Sequence, residues 1–331
     1  MLKRWLIVLF QTAVTAALLA FFFRDPEFRT DISAALKSTT PGWLVAGICF
    51  AGMENLVGVC RWRIFLKMLR IELPFWKSVQ ICLVALFCNT FLVGAAGGDL
   101  VRAAYLMRRG NSKIDSLLSV ILDRISGLGG LILYTAVLTV WNYEWLSRSP
   151  KVMTLVQIVI AYQIGCAALL TWTLSLAASG WTANPPRWAP FPNILRKFGA
   201  GYAQMAYQWR ASLRAMALTL VMLIAYFGVF YASARAFSVD ISFLQMSAIM
   251  PAADIITALP ISIGGLGVRE QVFAFLLSEL SGVLAATAVS ISLVGFLMNT
   301  SWGLAGAAAL PFFRGVVRDA RTAADTVREE I

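Results

Sequence analysis

The chain has 331 residues, 59% of them hydrophobic and only 14% charged, where soluble domains carry roughly 25% charged residues. Its net charge of +11 comes from 28 basic and 17 acidic residues. The basic residues cluster beside apolar runs, as membrane topology expects, so they do not imply a nucleic-acid partner. Histidine is absent, which excludes Ser-His-Asp catalysis, histidine-ligated metals and histidine proton relays together.

Apolar runs of 18 residues or more recur, each long enough to cross roughly 30 Å of hydrocarbon. Six are predicted as full crossings, at about 5–23, 41–60, 115–140, 152–178, 213–236 and 283–310. The first follows Lys3 and Arg4 and ends in Phe21-Phe22-Phe23-Arg24 with no A-x-A cleavage site, so it is expected to be a retained helix. The loop after it, RDPEFRTD, carries Asp25 and Glu27. The second crossing contains Glu54 and Asn55 and is closed by Arg61-Trp62-Arg63. These two arginines read as interface anchors that could instead hold a lipid headgroup.

Segment 75–113 has a different pattern: an apolar arm, then Gly97-Gly98-Asp99-Leu100-Val101-Arg102, then an arm of about 12 residues. Twelve helical residues cover about 18 Å, too little to span, so this segment is expected to be a re-entrant hairpin. Asp99 is placed as the N-cap of the second arm. Arg102 falls in the first turn, where the helix dipole disfavours a cation by roughly 0.3–1 kcal/mol.

The next crossing carries Asp123-Arg124 about 10 Å along its axis, with Gly127, Gly129 and Gly130 allowing close packing. This charged pair is either a site wall or ion relay, or a structural pair with a neighbouring helix. Trp141, Tyr143 and Trp145 read as an outer aromatic belt. Residues 179–212, with Trp181, Trp188 and Trp209, read as an interfacial loop.

A second hairpin is expected over 241–281. Asp254 lies in its first arm, able to carry a proton or to pair with Arg269. Its tip repeats the motif as Gly264-Gly265-Leu266-Gly267-Val268-Arg269, followed by Glu270. Asn89 and Asn299 are expected to form helix–helix hydrogen bonds. Residues 314–331 read as an amphipathic tail on the inner surface. The five cysteines, Cys49, Cys60, Cys82, Cys88 and Cys166, show no C-x-x-C spacing and read as small buried hydrophobes. There is no G-x-x-x-x-G-K-[ST], so ATP is not expected as the direct energy source. No cofactor or metal is expected.

The fold expected is all-α and polytopic, one membrane domain over 1–331 with two halves, about 1–145 and about 150–313. Each half reads crossing, crossing, hairpin, crossing, and the hairpins enter from opposite sides, an inverted-topology repeat. With both termini in the cytoplasm, basic residues concentrate on the inner side, provided each hairpin returns to the side it entered. Hairpins that instead cross fully are the main alternative. Two arginines at two helix starts fit a bound anion, because free backbone N–H groups and guanidinium both address a phosphate. The structural alternative pairs Asp99 with Arg102 and Glu270 with Arg269.

Four stretches carry a resemblance: RWRIFL at 61–66, FCNTFLVGAAGGDLVR at 87–102, DRISGL at 123–128 and LPISIGGLGVRE at 259–270. They resemble the flippase-like membrane domain of the bacterial lysylphosphatidylglycerol synthase/flippase superfamily. Relatives commonly have a proline before the first Gly-Asp, whereas Leu92-Val93-Gly94-Ala95 has none. The resemblance implies a stand-alone membrane domain without the aminoacyl-transfer domain, located in the bacterial inner membrane. It implies a lipid translocase, a flippase or scramblase, moving an anionic, aminoacylated or polyprenyl-phosphate lipid between leaflets, and not an enzyme. The substrate-binding set would be Glu54, Gly97, Gly98, Asp99, Arg102, Asp123, Arg124, Gly264, Gly265, Arg269 and Glu270. The expected partner is a phosphate-bearing lipid, with homo-oligomers possible. A secondary transporter of a small anion and a polyprenyl-dependent glycosyltransferase using Asp25 or Glu27 are the alternatives.

Overall fold

The computed structural model describes residues 30, 37, 39–91, 97–179, 192–258, 265–313 and 315–316. In chain order the helices are α1 (Pro41–Met68), α2 (Phe75–Phe91), α3 (Gly97–Arg108), α4 (Lys113–Trp141), α5 (Tyr143–Leu146) and α6 (Pro150–Ala178). They continue with α7 (Pro192–Tyr207), α8 (Trp209–Ala236), α9 (Phe243–Ala258), α10 (Val268–Ser281) and α11 (Ala285–Ala309), which ends in a 3₁₀ turn over Leu310–Phe313. No strand occurs among the described residues.

Five of these helices, α1, α4, α6, α8 and α11, are long and apolar enough to cross a membrane. They match five of the six expected crossings; the sixth, 5–23, lies outside the described residues. The chain is therefore an all-α polytopic membrane protein. The apolar helices α2 and α9 are shorter, with 17 and 16 residues, so each covers about 25 Å at 1.5 Å per residue. Each packs against the short helix that follows it, α2 on α3 and α9 on α10. Much of the apolar surface of the long helices faces outward, including Val140, Ile164 and Trp172. Lipid is the solvent that such a surface suits.

The chain forms two compact units. Of the described residues, one gathers those up to Ala51 with those within Thr135–Ala161 and Ile224–Ser301; the other gathers those within Gly52–Tyr134, Tyr162–Leu223 and from Trp302 on. The first is called here the aromatic unit. Its core contains Phe227, Phe230 and Phe273, with the Phe230 and Phe273 rings 5.5 Å apart. Glycines let its helices approach closely: Gly228 lies beneath Phe50, and Gly295 beneath Phe230.

The other is the arginine unit. Trp62, Leu66, Ile81, Val84, Val101 and Leu106 join α1, α2 and α3 in one apolar cluster. Gly306 of α11 sits directly on the backbone of Leu83, where any side chain would collide. The helix α7 occupies the middle of the expected 179–212 loop. It is tied down by Gln204 Nε2 donating to the Met68 carbonyl at 2.9 Å and by Gly201 packing on Leu118.

Three expectations are corrected. Helix α1 runs to Met68, beyond the expected end near 60, so Arg61-Trp62-Arg63 lies inside it. Asp99 is not an N-cap: α3 starts at Gly97 and places Asp99 within its first turn. The aromatic belt is incomplete, since Trp141 and Tyr143 are exposed while Trp145 is buried. The α5 turn rotates Trp145 inward. The RDPEFRTD loop and nearly all of the 314–331 tail lie outside the described residues.

Candidate functional site

The densest polar chemistry is in the arginine unit, where α1, α3 and α4 bring five charged side chains together. Asp123 of α4 is almost fully buried and receives two guanidinium groups. Arg61 Nε donates to its Oδ1 at 2.8 Å and Arg102 NH1 donates to its Oδ2 at 3.1 Å. Asp99 likewise receives two, from Arg102 NH2 at 2.5 Å and from Arg124 Nε at 2.7 Å. The result is a chain of alternating charge, Arg61–Asp123–Arg102–Asp99–Arg124, with three cations and two anions.

Burial falls along this chain. The side chains of Arg61 and Asp123 are 7% and 5% exposed, Arg102 and Asp99 12% and 19%, and Arg124 56%. Charges this deep in an apolar protein persist only when paired and hydrogen-bonded. Arg61 also donates to Thr219 Oγ1 of α8 at 3.2 Å, and the Arg102 guanidinium lies 5.2 Å from the Trp62 ring centroid. The Trp62 indole N–H in turn donates to Ser119 at 3.4 Å. At the other end, Arg124 gives its Nε to Asp99, and its side chain is half exposed.

The network forms one wall of a partly open cavity of about 200 Å³, completed by Glu54, Asn55, Asn89, Gly98 and Met222. Close helix approach shapes it. The Gly98 N–H donates to Asn89 Oδ1 at 2.6 Å, satisfying a first-turn donor of α3 that has no partner within the helix. A Cβ on Gly98 would collide with the Ala85 carbonyl, and one on Gly127 would press on Arg61 at 3.2 Å.

The second motif lies in the aromatic unit and is wired differently. Gly265 and Gly267 have φ of +76° and +84°, a region that side-chain-bearing residues rarely adopt. Glu270 is fully buried; its carboxylate accepts from the Gly267 N–H at 2.5 Å and from the Ser292 hydroxyl at 2.9 Å. It thus caps the start of α10 and ties α10 to α11. The Arg269 guanidinium lies 5.0 Å from the Phe296 ring centroid. In the same unit the Tyr226 hydroxyl of α8 donates to Asp254 Oδ1 of α9 at 2.7 Å.

The sequence-predicted residues therefore divide. Glu54, Gly98, Asp99, Arg102, Asp123 and Arg124 meet at the arginine-unit cavity, with buried Gly97 beside them at the start of α3. Gly265, Arg269 and Glu270 belong to the aromatic unit, and Gly264 lies outside the described residues. Arg61, expected at the membrane interface as an anchor or a headgroup holder, lies instead in the buried network on Asp123 and Thr219. The signal was present: Glu54, Gly58 and Arg61 recur at i, i+4 and i+7 and so share a helix face. Thr219 and Tyr226 had no such signal, because each is one hydroxyl within an apolar run.

Residues 8–306 match the family described as the lysylphosphatidylglycerol synthase TM region. The chain belongs to that family. The match covers both motifs and every residue of the charged network. No curated protein matches the chain. Family membership points to work on membrane lipids.

Proposed function

We propose that the protein is a lipid translocase of the bacterial inner membrane, moving a phosphate-bearing lipid between leaflets, with the arginine-unit cavity as its headgroup site. The observation that carries this reading is the graded burial of the charge chain, which ends in the half-exposed Arg124 at the cavity. A headgroup phosphate would take the terminal amino groups of Arg124 and compete with Asp99 for Arg102. Charge-assisted hydrogen bonds of this kind contribute about 1.5–3 kcal/mol each. Arg61 and Asp123 stay locked behind, holding Arg102 in position. Glu54 lines the same cavity. The chemistry is binding and movement, not bond making.

The test is a liposome assay in which fluorescent phosphatidylglycerol, lysyl-phosphatidylglycerol or phosphatidylcholine is quenched from outside, with or without purified protein. The expectation is protein-dependent movement of the phosphatidylglycerol lipids, reduced at least about tenfold by Arg124→Ala, the equivalent of one charge-assisted contact. Arg124 is half exposed, so this variant keeps its fold, checked by its melting curve. Unchanged transport by a folded Arg124→Ala protein would remove the headgroup site. Uptake of inorganic phosphate by the same liposomes without lipid movement would move the reading to small-anion transport.

A further inference from the structure

The aspartates of the arginine unit and Asp254 of the aromatic unit are held by different kinds of partner. Asp99 and Asp123 are each bonded by two guanidinium groups. Guanidinium only donates and stays charged, so the oxygens of these two aspartates serve only as acceptors in these bonds. Asp254 is bonded by a phenol, Tyr226 Oη at 2.7 Å. A phenol oxygen both donates and accepts, so the bond survives protonation by reversing direction: Tyr226 donates to the carboxylate, and the carboxylic acid donates to Tyr226.

The surroundings of Asp254 suit a group that alternates between charged and neutral. It lies on α9, an apolar helix with no other acidic or basic residue. A carboxylate at such a place is costly and marks function by default. Tyr226 projects from α8 among Phe227 and Phe230, with ring centroids 5.3 and 5.6 Å away. From α10, Arg269 NH2 and the Thr257 side chain of α9 both crowd the same side of Gly265, which puts the guanidinium beside α9 one turn from Asp254, while Glu270 is engaged by Gly267 and Ser292. Helix α11 contributes no charged residue. Thr257 turns its hydroxyl back to the carbonyls of Ala253 and Asp254. The Tyr226 bond can thus be made by either protonation state of Asp254.

We propose that Asp254, with Tyr226, is a proton-binding site through which a transmembrane proton gradient drives the lipid movement proposed above. This inference rests on that reading for its transport consequence, but proton binding stands apart from it. Pro251 inside α9 removes one helical hydrogen bond a single turn before Asp254, leaving this stretch easier to bend. Protonation removes the attraction between Asp254 and Arg269 across the α9–α10 pair, and deprotonation restores it. The transported unit is a proton bound at one face of the membrane and released at the other, with no bond of the lipid broken.

Two measurements on the full-length protein test this separately. In proteoliposomes held at zero membrane potential, a pH step of one unit is imposed and the leaflet distribution of fluorescent phosphatidylglycerol is followed. With one proton per lipid, the wild type accumulates lipid up to about tenfold in one leaflet, since one pH unit corresponds to a factor of ten. Asp254→Asn, which keeps an acceptor for the Tyr226 hydroxyl, loses this accumulation; Tyr226→Phe shifts the pH at which it appears. Lipid that moves but equilibrates equally with and without the gradient overturns the inference and leaves the translocase reading intact. No lipid movement at all defeats the translocase reading. In that event, infrared difference spectra between acid and alkaline buffer still decide the site. A protonated-carboxyl band that is lost in folded Asp254→Asn supports proton binding, and a spectrum unchanged by this substitution overturns it.

Discussion

The two copies of Gly-Gly-x-x-Val-Arg begin helices of similar length in two different units, yet the acid beside each arginine does a different job. In the first, Asp99 precedes Arg102 by three residues and bonds it directly. In the second, Glu270 immediately follows Arg269, and its oxygens go to the Gly267 N–H and the Ser292 hydroxyl. Helical geometry explains the difference. Residues three apart share a face, whereas adjacent residues point about 100° apart. A glutamate at the third helical position is also placed to reach back to the N-cap N–H, and here the cap is a glycine with no side chain to reciprocate. Neighbours in sequence are not partners in a helix; position on the helix face decides which acid meets which base.

The largest test of this contrast removes one charged member from each motif. Arg102→Ala leaves Asp99 short of one partner and buried Asp123 short of another, with an expected loss of about 3–5 kcal/mol, as for a broken buried ion pair. Arg102→Lys recovers only part, since it lacks the planar fork that spans two carboxylates. Glu270→Ala leaves a helix start and one serine unsatisfied, at about 1–2 kcal/mol. Melting or denaturant curves in detergent measure both, and equal losses would erase the distinction.

The glycines sharpen it further. Gly98→Ala drives a methyl into the Ala85 carbonyl and against Asn89 Cγ, an overpacking cost of about 1–3 kcal/mol that is set mainly by backbone. Gly265→Ala meets the Thr257 side chain at 2.8 Å and adds about 1–2 kcal/mol for its left-handed backbone. Thr257→Ala keeps the Cβ but removes the Cγ2 at 2.9 Å and should rescue part of the Gly265→Ala loss, whereas Asn89→Ala leaves the Ala85 carbonyl oxygen in place and should rescue less of the Gly98→Ala loss. A double-mutant cycle reads the coupling directly, and strict additivity at both sites would contradict these contacts.

The smallest effect lies at the far end of α10. There Glu279 accepts from Lys151 Nζ and from the Ser149 hydroxyl, both at 2.9 Å. These bonds, that from Lys151 first, hold its carboxyl below the ordinary value of 4.5. A lowered folded-state pKa contributes stability above the unfolded value and loses it as pH falls through the folded one. The melting temperature should therefore drop slightly below pH 4.5, and Glu279→Gln should flatten that part of the curve. A variant curve parallel to the wild type throughout would show that the tie contributes nothing in solution.

Apolar length and composition alone determined that this chain is an all-α membrane protein, because hydrocarbon leaves the backbone no partner but its own helix. The same arithmetic separated the five long described helices from the two short apolar ones, and the repeated glycines marked where short helices begin. Single polar residues in apolar runs drew attention to Glu54, Asp99, Asp123 and Asp254, since such residues are costly there. Partners were another matter. That Arg61 bonds Asp123, that Tyr226 rather than a charged group holds Asp254, and that Glu270 caps its own helix were decided only by tertiary structure. Each of these depends on the rotation of one helix about its axis or on a contact made across a long stretch of chain. Helical periodicity fixes which residues of one helix share a face, and it leaves open what that face meets.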